Sequence, residues 1–290
     1  MMATHRRRLL REHARTFSLT LGLLPFWLRD PLGLAYLLAR ASDTVADAVG
    51  ISQVRRLVLL EELKMALDTE DPSLWRPVFL PGELSASEEE LMAALPGLLA
   101  DLATHPDRME LLALWRAILE GQLFDQRRFS SSDPLTRGEL EHYCGLVAGS
   151  VGETWTRLIG KHAPQLLRGE FGEMCRLGAD FGRGLQLVNI LRDRTSDQAL
   201  GRVYASDAEL PALWELASEW LVQGEIYLTQ LRPGRVLYAS GLPLSLAMGT
   251  LGKLRTSPGG LDAPRVSLTR LEVYARLALD TRSLCFPKRG

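Results

Sequence analysis

With 290 residues, of which 46% are hydrophobic and 24% charged, the chain has the composition of a globular protein long enough to bury a large apolar core. Its 34 basic and 35 acidic residues give a net charge of −1, which argues against a global attraction to nucleic acid or to an anionic membrane. Three cysteines without C-x-x-C spacing argue against a disulfide framework and a zinc site, and they favour a cytoplasmic location.

Apolar residues recur at helical spacing along nearly the whole chain, as in Leu57, Leu60, Leu63 and Leu67, and no segment has the pattern of a strand. Short clusters of proline, glycine and polar residues separate the helical patterns, and no internal repeat is visible. We therefore predict one all-α domain over residues 1–290, folded as a helical bundle.

Polar residues interrupt the apolar helical pattern at residues 36–47. Tyr36, Arg40, Asp43 and Asp47 stand at i, i+4, i+7 and i+11, so their side chains share one helix face. Two carboxylates one helical turn apart repel each other, and the cost rises when they are removed from water. The pattern predicts that a cationic group lies beside them.

The same Asp-x-x-x-Asp spacing returns further along the chain. Asn189, Asp193 and Asp197 follow one another at steps of four, with Gln186 close by. Oxygen ligands suit Mg²⁺, which typically binds through one or two carboxylates plus substrate phosphates. Two such pairs on facing helices would hold a metal cluster over a diphosphate.

A single Asp-x-x-x-Asp motif is more often a solvated helix face than a metal site. Two such motifs, each embedded in apolar sequence and each flanked by arginine, favour the metal site. Arg40, Arg192 and Arg202 are either salt-bridge partners or bidentate ligands of phosphate, and we favour phosphate. P-loop, Rossmann and G-x-S-x-G motifs are absent from the sequence, which argues against those enzyme classes.

These motifs resemble those of the squalene and phytoene synthases, whose fold is the class I isoprenoid synthase helical bundle with a central cavity. The likeness is carried by four segments in the family's order, at residues 15–19, 34–47, 143–152 and 185–204. The uncharged stretch between Arg235 and Lys253, too polar to span a bilayer, is similar to the family's cavity-lining helix. Three differences are Ala46 and Ser196, where squalene synthases often have glutamate, and Ala205-Ser206, where the family usually has leucine-proline.

The resemblance implies a role for each matching residue. Magnesium would be bound by Asp43, Asp47, Asn189, Asp193 and Asp197. Substrate would contact Thr16, Phe17, Tyr36, Arg40, Gln186, Asn189, Arg192 and Arg202, and the catalytic candidates are Tyr36 and Tyr143. Tyr143 is either a base or a structural tyrosine.

The family's reaction, by the same resemblance, joins two farnesyl diphosphates into a cyclopropylcarbinyl (presqualene) diphosphate, which NADPH then reduces to squalene. No dinucleotide fingerprint is present, so the phosphates of NADPH would be held by Arg15, Arg40 and Arg192. The alternatives are a phytoene or dehydrosqualene synthase, which performs no reduction and in the first case uses geranylgeranyl diphosphate, a hydroxysqualene synthase, and a non-catalytic scaffold. Contact with a membrane would be peripheral.

Overall fold

The computed structural model describes residues 2–14, 17–128 and 133–256. Its α-helices are α1 (Met2–His13), α2 (Phe17–Leu23), α3 (Phe26–Asp47), α4 (Gln53–Asp68), α5 (Ala86–Ala103), α6 (Arg108–Arg128), α7 (Arg137–Cys144), α8 (Ser150–His162), α9 (Phe171–Ala199), α10 (Leu210–Thr229) and α11 (Arg235–Thr256). A π-helical turn, Gly145–Gly149, joins α7 to α8, and 3₁₀ turns cover Pro72–Leu74, Pro164–Leu166 and Asp207–Glu209. Within these ranges the only β-type pairing is an isolated bridge between Leu167 and Leu231. The prediction of an all-α fold is confirmed.

The helices form two compact units, each with its own core. The first comprises residues 1–22 and 26–130, and the second comprises residues 23–25 and 131–290, as far as each is described. The assignment of residues 1–290 to one domain stays a prediction.

Helix α3 lies at the centre of the first unit, where it packs against α4, α5 and α6. Its buried face includes Leu34, Leu37 and Leu38, which are fully removed from solvent. Trp115 of α6 packs edge-on against Trp75, with ring centroids 6.1 Å apart. Burial of these large apolar side chains is the main favourable contribution to folding, so it holds α3 firmly in the unit.

Helix α1 is anchored to α3 and α5 by one arginine. Arg6 forms ion pairs with Asp30 and, at 3.3 Å, with Asp101. A hydrogen bond from His105 contributes most to lowering the pKa of Asp30 below its usual value, and the charge of Arg6 adds to this effect. Leu9 is fully buried on the same helix. The end of α1 is therefore held where the chain enters the predicted pocket segment 15–17.

Helix α9 is the central helix of the second unit, where it packs against α8, α10, α11 and the π-helical turn. Glycines bring these backbones together. A Cβ on Gly152 would lie 1.9 Å from the carbonyl oxygen of Gly178, and a Cβ on Gly182 would lie 2.1 Å from the carbonyl oxygen of Ala148. No other residue fits at either position without moving the backbone.

The apolar stretch near the end of the described chain forms helix α11, as expected. Pro243 lies inside this helix, and Ala239, Leu242, Leu244 and Leu251 are buried. Its role in lining a product cavity stays a prediction. Among the described helices, none combines the length and apolar character required to cross a membrane.

We expect Gly152→Ala to destabilise the protein by at least about 2 kcal/mol, because the added methyl group overlaps a backbone carbonyl that cannot move alone. The matched control is Gly252→Ala in α11, where an added Cβ would meet nothing within 4 Å. That change should stabilise by about 0.5 kcal/mol, since alanine favours the helix. Urea unfolding of the three proteins measures both effects, and equal stability of the two variants would contradict the close approach.

Candidate functional site

The first carboxylate pair lies at the C-terminal end of α3. Asp47 is the last residue of the helix and is exposed, whereas Asp43, one turn earlier, is half-buried. Unpaired carbonyl groups give this end of a helix partial negative charge, which normally favours lysine or arginine. The last turn of α3 contains no basic residue. The pair therefore adds negative charge where the helix is already negative, and a bound cation would offset both.

Three residues of α6 contact this end of α3. Gln122 donates a hydrogen bond from Nε2 to Oδ1 of Asp43. Gln126 donates to the carbonyl of Ala46 over 2.9 Å, and Trp115 donates to the hydroxyl of Ser42 over 3.2 Å. The sequence analysis missed these residues, although two glutamines at i and i+4 on a largely apolar helix were a visible signal.

The structure brings the predicted residues Phe17 and Tyr36 together. Their ring centroids lie 5.3 Å apart with an interplanar angle of 32°. The hydroxyl of Tyr36 donates to the backbone carbonyl of His13 over 2.7 Å, which ties α3 to the end of α1. The ring of Tyr36 is thus fixed as an aromatic surface, and its hydroxyl has a structural partner.

Arg40 shares its helix face with the first carboxylate pair and is half-buried. Within the described ranges, it has no carboxylate oxygen within 4 Å of its guanidinium group. Its charge does reach His13, where burial and then the positive charge of Arg40 lower the pKa of the imidazole. A half-buried guanidinium without a carboxylate partner is suited to an anionic ligand.

The second carboxylate pair lies in the last two turns of α9, which ends at Ala199 and has no basic residue in its last turn. Arg192 forms a two-point contact with Asp193, with a distance of 3.0 Å from Nε to Oδ1. Of the two alternatives for this arginine, the structure shows the salt bridge, and its contact with phosphate stays a prediction. The backbone carbonyl of Asp197 accepts from the amide of Arg202 over 2.8 Å, which closes the turn that follows α9.

Gln186 and Asn189 are half-buried on α9. Neither side chain makes a hydrogen bond to another residue in the described part of the chain, so both amides are available to a ligand. The π-helical turn packs beside this part of α9. Such turns are frequent at functional sites.

Tyr143 is buried and stacks on Tyr204, with ring centroids 5.5 Å apart and an interplanar angle of 27°. Their hydroxyl oxygens lie 3.5 Å apart. Nearby, a cavity of about 10 Å³ is lined by Asp197, Arg202 and Tyr204, among others. This volume suits about one water molecule. The aromatic pair favours the structural interpretation of Tyr143.

A larger pocket of about 520 Å³ lies in the first unit and includes Trp75, Leu95, Leu99, Arg76 and Arg108 in its wall. None of the predicted site residues lines it. It therefore lies apart from the carboxylate pairs.

Arg15 and Thr16 lie outside the described residues. Within the described ranges, no three side chains of histidine, cysteine, aspartate or glutamate form a group that could hold a metal ion. The donor chemistry nevertheless fits Mg²⁺, because each helix end offers two carboxylates one turn apart, and phosphate oxygens can supply further ligands. The convergence of the two pairs on one diphosphate stays a prediction.

A family model described as squalene/phytoene synthase matches residues 10–212. The chain is 29% identical over 215 residues to a bifunctional lycopene cyclase/phytoene synthase from Gibberella fujikuroi, an alignment covering 71% of this chain and 34% of that protein. It is 29% identical over 202 residues to a squalene synthase from Eremothecium gossypii, covering 68% of this chain and 44% of that protein. The chain thus spans between a third and a half of the length of these relatives.

The fold is shared with solved structures. A crystal structure of a dehydrosqualene synthase in complex with a ligand aligns with 97% of this chain and 96% of its own, with a TM-score of 0.68 and 17% identity. At this identity the likeness shows the fold alone, and it confirms the predicted isoprenoid synthase type of helical bundle.

We expect Asp47→Asn to stabilise the metal-free protein by about 0.5 kcal/mol, because it removes a negative charge from the negative end of α3. The control is Asp68→Asn at the end of α4, where Lys64 lies 3.6 Å from the carboxylate and already offsets its charge. Urea unfolding in EDTA at low salt measures both. A loss of stability in Asp47→Asn, or a larger gain in the control, would contradict the electrostatic interpretation.

Proposed function

The chain belongs to the squalene/phytoene synthase family, and we propose that it condenses two farnesyl diphosphates head to head into presqualene diphosphate and then squalene. The observation that carries this proposal is the position of two Asp-x-x-x-Asp pairs at the C-terminal ends of α3 and α9, neither of which has a basic residue in its last turn. Such an arrangement recruits divalent cations and, with them, a diphosphate.

We propose that Asp43 and Asp47 on α3, and Asn189, Asp193 and Asp197 on α9, hold Mg²⁺. The metal would supply the positive charge that stabilises the departing diphosphate. The carboxylates themselves orient the leaving group by fixing the position of that charge, since both pairs stand on helices packed at the centre of their units.

Arg40 would bind a phosphate group of the substrate directly. Its guanidinium group is half-buried and has no carboxylate partner within 4 Å in the described ranges, so binding an anion breaks no ion pair there. Arg192 differs, because it must first leave Asp193 or share it. We assign Arg40 to the substrate and keep Arg192, with Arg15, as a candidate for the phosphates of NADPH.

The aromatic pair of Phe17 and Tyr36 would face the allylic cation that remains when diphosphate departs. Aromatic faces attract cations, and an apolar surrounding excludes water that would otherwise capture the intermediate. Tyr36 is held in place by its hydrogen bond to the carbonyl of His13. This bond supports a role for the ring rather than for the hydroxyl group.

Squalene is the product that we place first, because residues 15–17 and 43–44 resemble squalene synthases more than phytoene synthases. Relatives with both names match the chain at similar identity, so a phytoene-type product is the second candidate. Dehydrosqualene and hydroxysqualene are further outcomes of the same machinery. Incubation with farnesyl or geranylgeranyl diphosphate and Mg²⁺, with and without NADPH, distinguishes all four products. An enzyme indifferent to NADPH would exclude the squalene assignment.

We expect Asp43→Asn and Asp193→Asn to lower turnover by about 100-fold or more, because each removes a ligand of the metal that stabilises the leaving group. Both variants should remain folded, since the change relieves repulsion between neighbouring carboxylates. Asp68→Asn serves as the matched control with unchanged turnover. Near-normal rates in either active-site variant at low Mg²⁺ would remove the metal assignment.

We expect Arg40→Lys to slow both half-reactions by about tenfold, because an ammonium group cannot reproduce the two-point contact of a guanidinium group with phosphate. The formation of presqualene diphosphate and its reduction are assayed separately, with Arg192→Lys in parallel. A loss in Arg40→Lys confined to the NADPH-dependent step would assign Arg40 to the cofactor instead. For Arg192→Lys, a selective loss in that step supports contact with NADPH, and an equal loss in both steps indicates the substrate.

A further inference from the structure

We infer that Gln122 is a positioning residue that orients the carboxylate of Asp43 for metal binding. This inference rests on the proposed function, because it takes Asp43 as a ligand of Mg²⁺. Gln122 lies on α6, is 7% exposed and donates from Nε2 to Oδ1 of Asp43, 79 residues away in the chain.

The contact belongs to a set of three that join α6 to the last turns of α3. Trp115, Gln122 and Gln126 stand at i, i+7 and i+11, so they share one face of α6. Their partners on α3 are the side chain of Ser42, the side chain of Asp43 and the backbone of Ala46. Only the contact of Gln122 reaches a predicted metal ligand. The other two stabilise the helix pair.

A neutral amide suits this task better than a charged donor. It restricts the rotation of the carboxylate by a hydrogen bond, yet it leaves the negative charge that attracts the cation. Lysine or arginine at position 122 would hold Asp43 equally well and would cancel that charge. Outer-shell hydrogen bonds of this kind orient metal ligands and typically change affinity or activity by about 10- to 100-fold when removed.

The other end of the amide has no use in the packing. Oε1 of Gln122 is buried and has no hydrogen-bond partner within the described part of the chain. A buried acceptor without a partner lowers stability, so a residue chosen for packing alone would be apolar here. Magnesium keeps several water ligands, and Oε1 would accept a hydrogen bond from one of them.

The test compares Gln122→Met with Gln126→Met, because both remove a buried amide of the same size from the same face of α6. Calorimetric titration with Mg²⁺ and inorganic pyrophosphate measures binding without turnover, and thermal unfolding in EDTA measures stability. We expect Gln122→Met to bind at least about tenfold more weakly with an unchanged or higher Tm. Gln126→Met should lose stability, because it leaves the carbonyl of Ala46 without this donor, and it should bind within about twofold of wild type.

Unchanged binding in Gln122→Met, or equal weakening in both variants, would overturn the inference while leaving the proposed function intact. A lower Tm in Gln122→Met with normal binding would make it a structural residue only. Failure of the proposed function has a different signature. In that case the wild-type protein shows no binding of Mg²⁺ and pyrophosphate, and Asp43→Asn changes nothing.

Discussion

The electrostatic constraint on this protein is the placement of two carboxylate pairs at helix ends that already carry partial negative charge. Such an arrangement is unfavourable for a helix in isolation, because carbonyl dipoles and carboxylates repel one another. It persists only if the rest of the structure holds the helix ends in place and a cation offsets the charge on binding. Stability is thereby exchanged for a prepared ligand site, which is common at functional sites.

The packing of both units meets the first of these conditions. Helices α3 and α9, which carry the pairs, are the central helices of their units and are held by different means. Trp115 and the two glutamines of α6 bind the last turns of α3 through hydrogen bonds. Helix α9 is held by backbone contact at Gly152 and Gly182. Rigid supports of either kind reduce the reorganisation needed when a ligand binds.

Local spacing predicted the helices and the shared faces of the carboxylate pairs, because both follow from the 3.6-residue period. It did not predict contacts between distant segments. The hydroxyl of Tyr36 reaches the backbone of His13, and Asp43 accepts from Gln122, a residue far along the chain. Arg192 was expected to bind phosphate, yet its guanidinium group contacts the adjacent Asp193. Partners of this kind depend on packing, which a single sequence does not display.

The two positions at which the motifs differ from squalene synthases are explained differently by the structure. Ala46 is 5% exposed, and its carbonyl accepts the hydrogen bond from Gln126. A glutamate there would place a third carboxylate in the packed surface between α3 and α6, at a high cost in desolvation. Ser196 is exposed on α9, where a glutamate would be tolerated. Alanine at position 46 therefore goes with the close contact that α6 makes to α3, so the charge at this helix end is concentrated on Asp43 and Asp47.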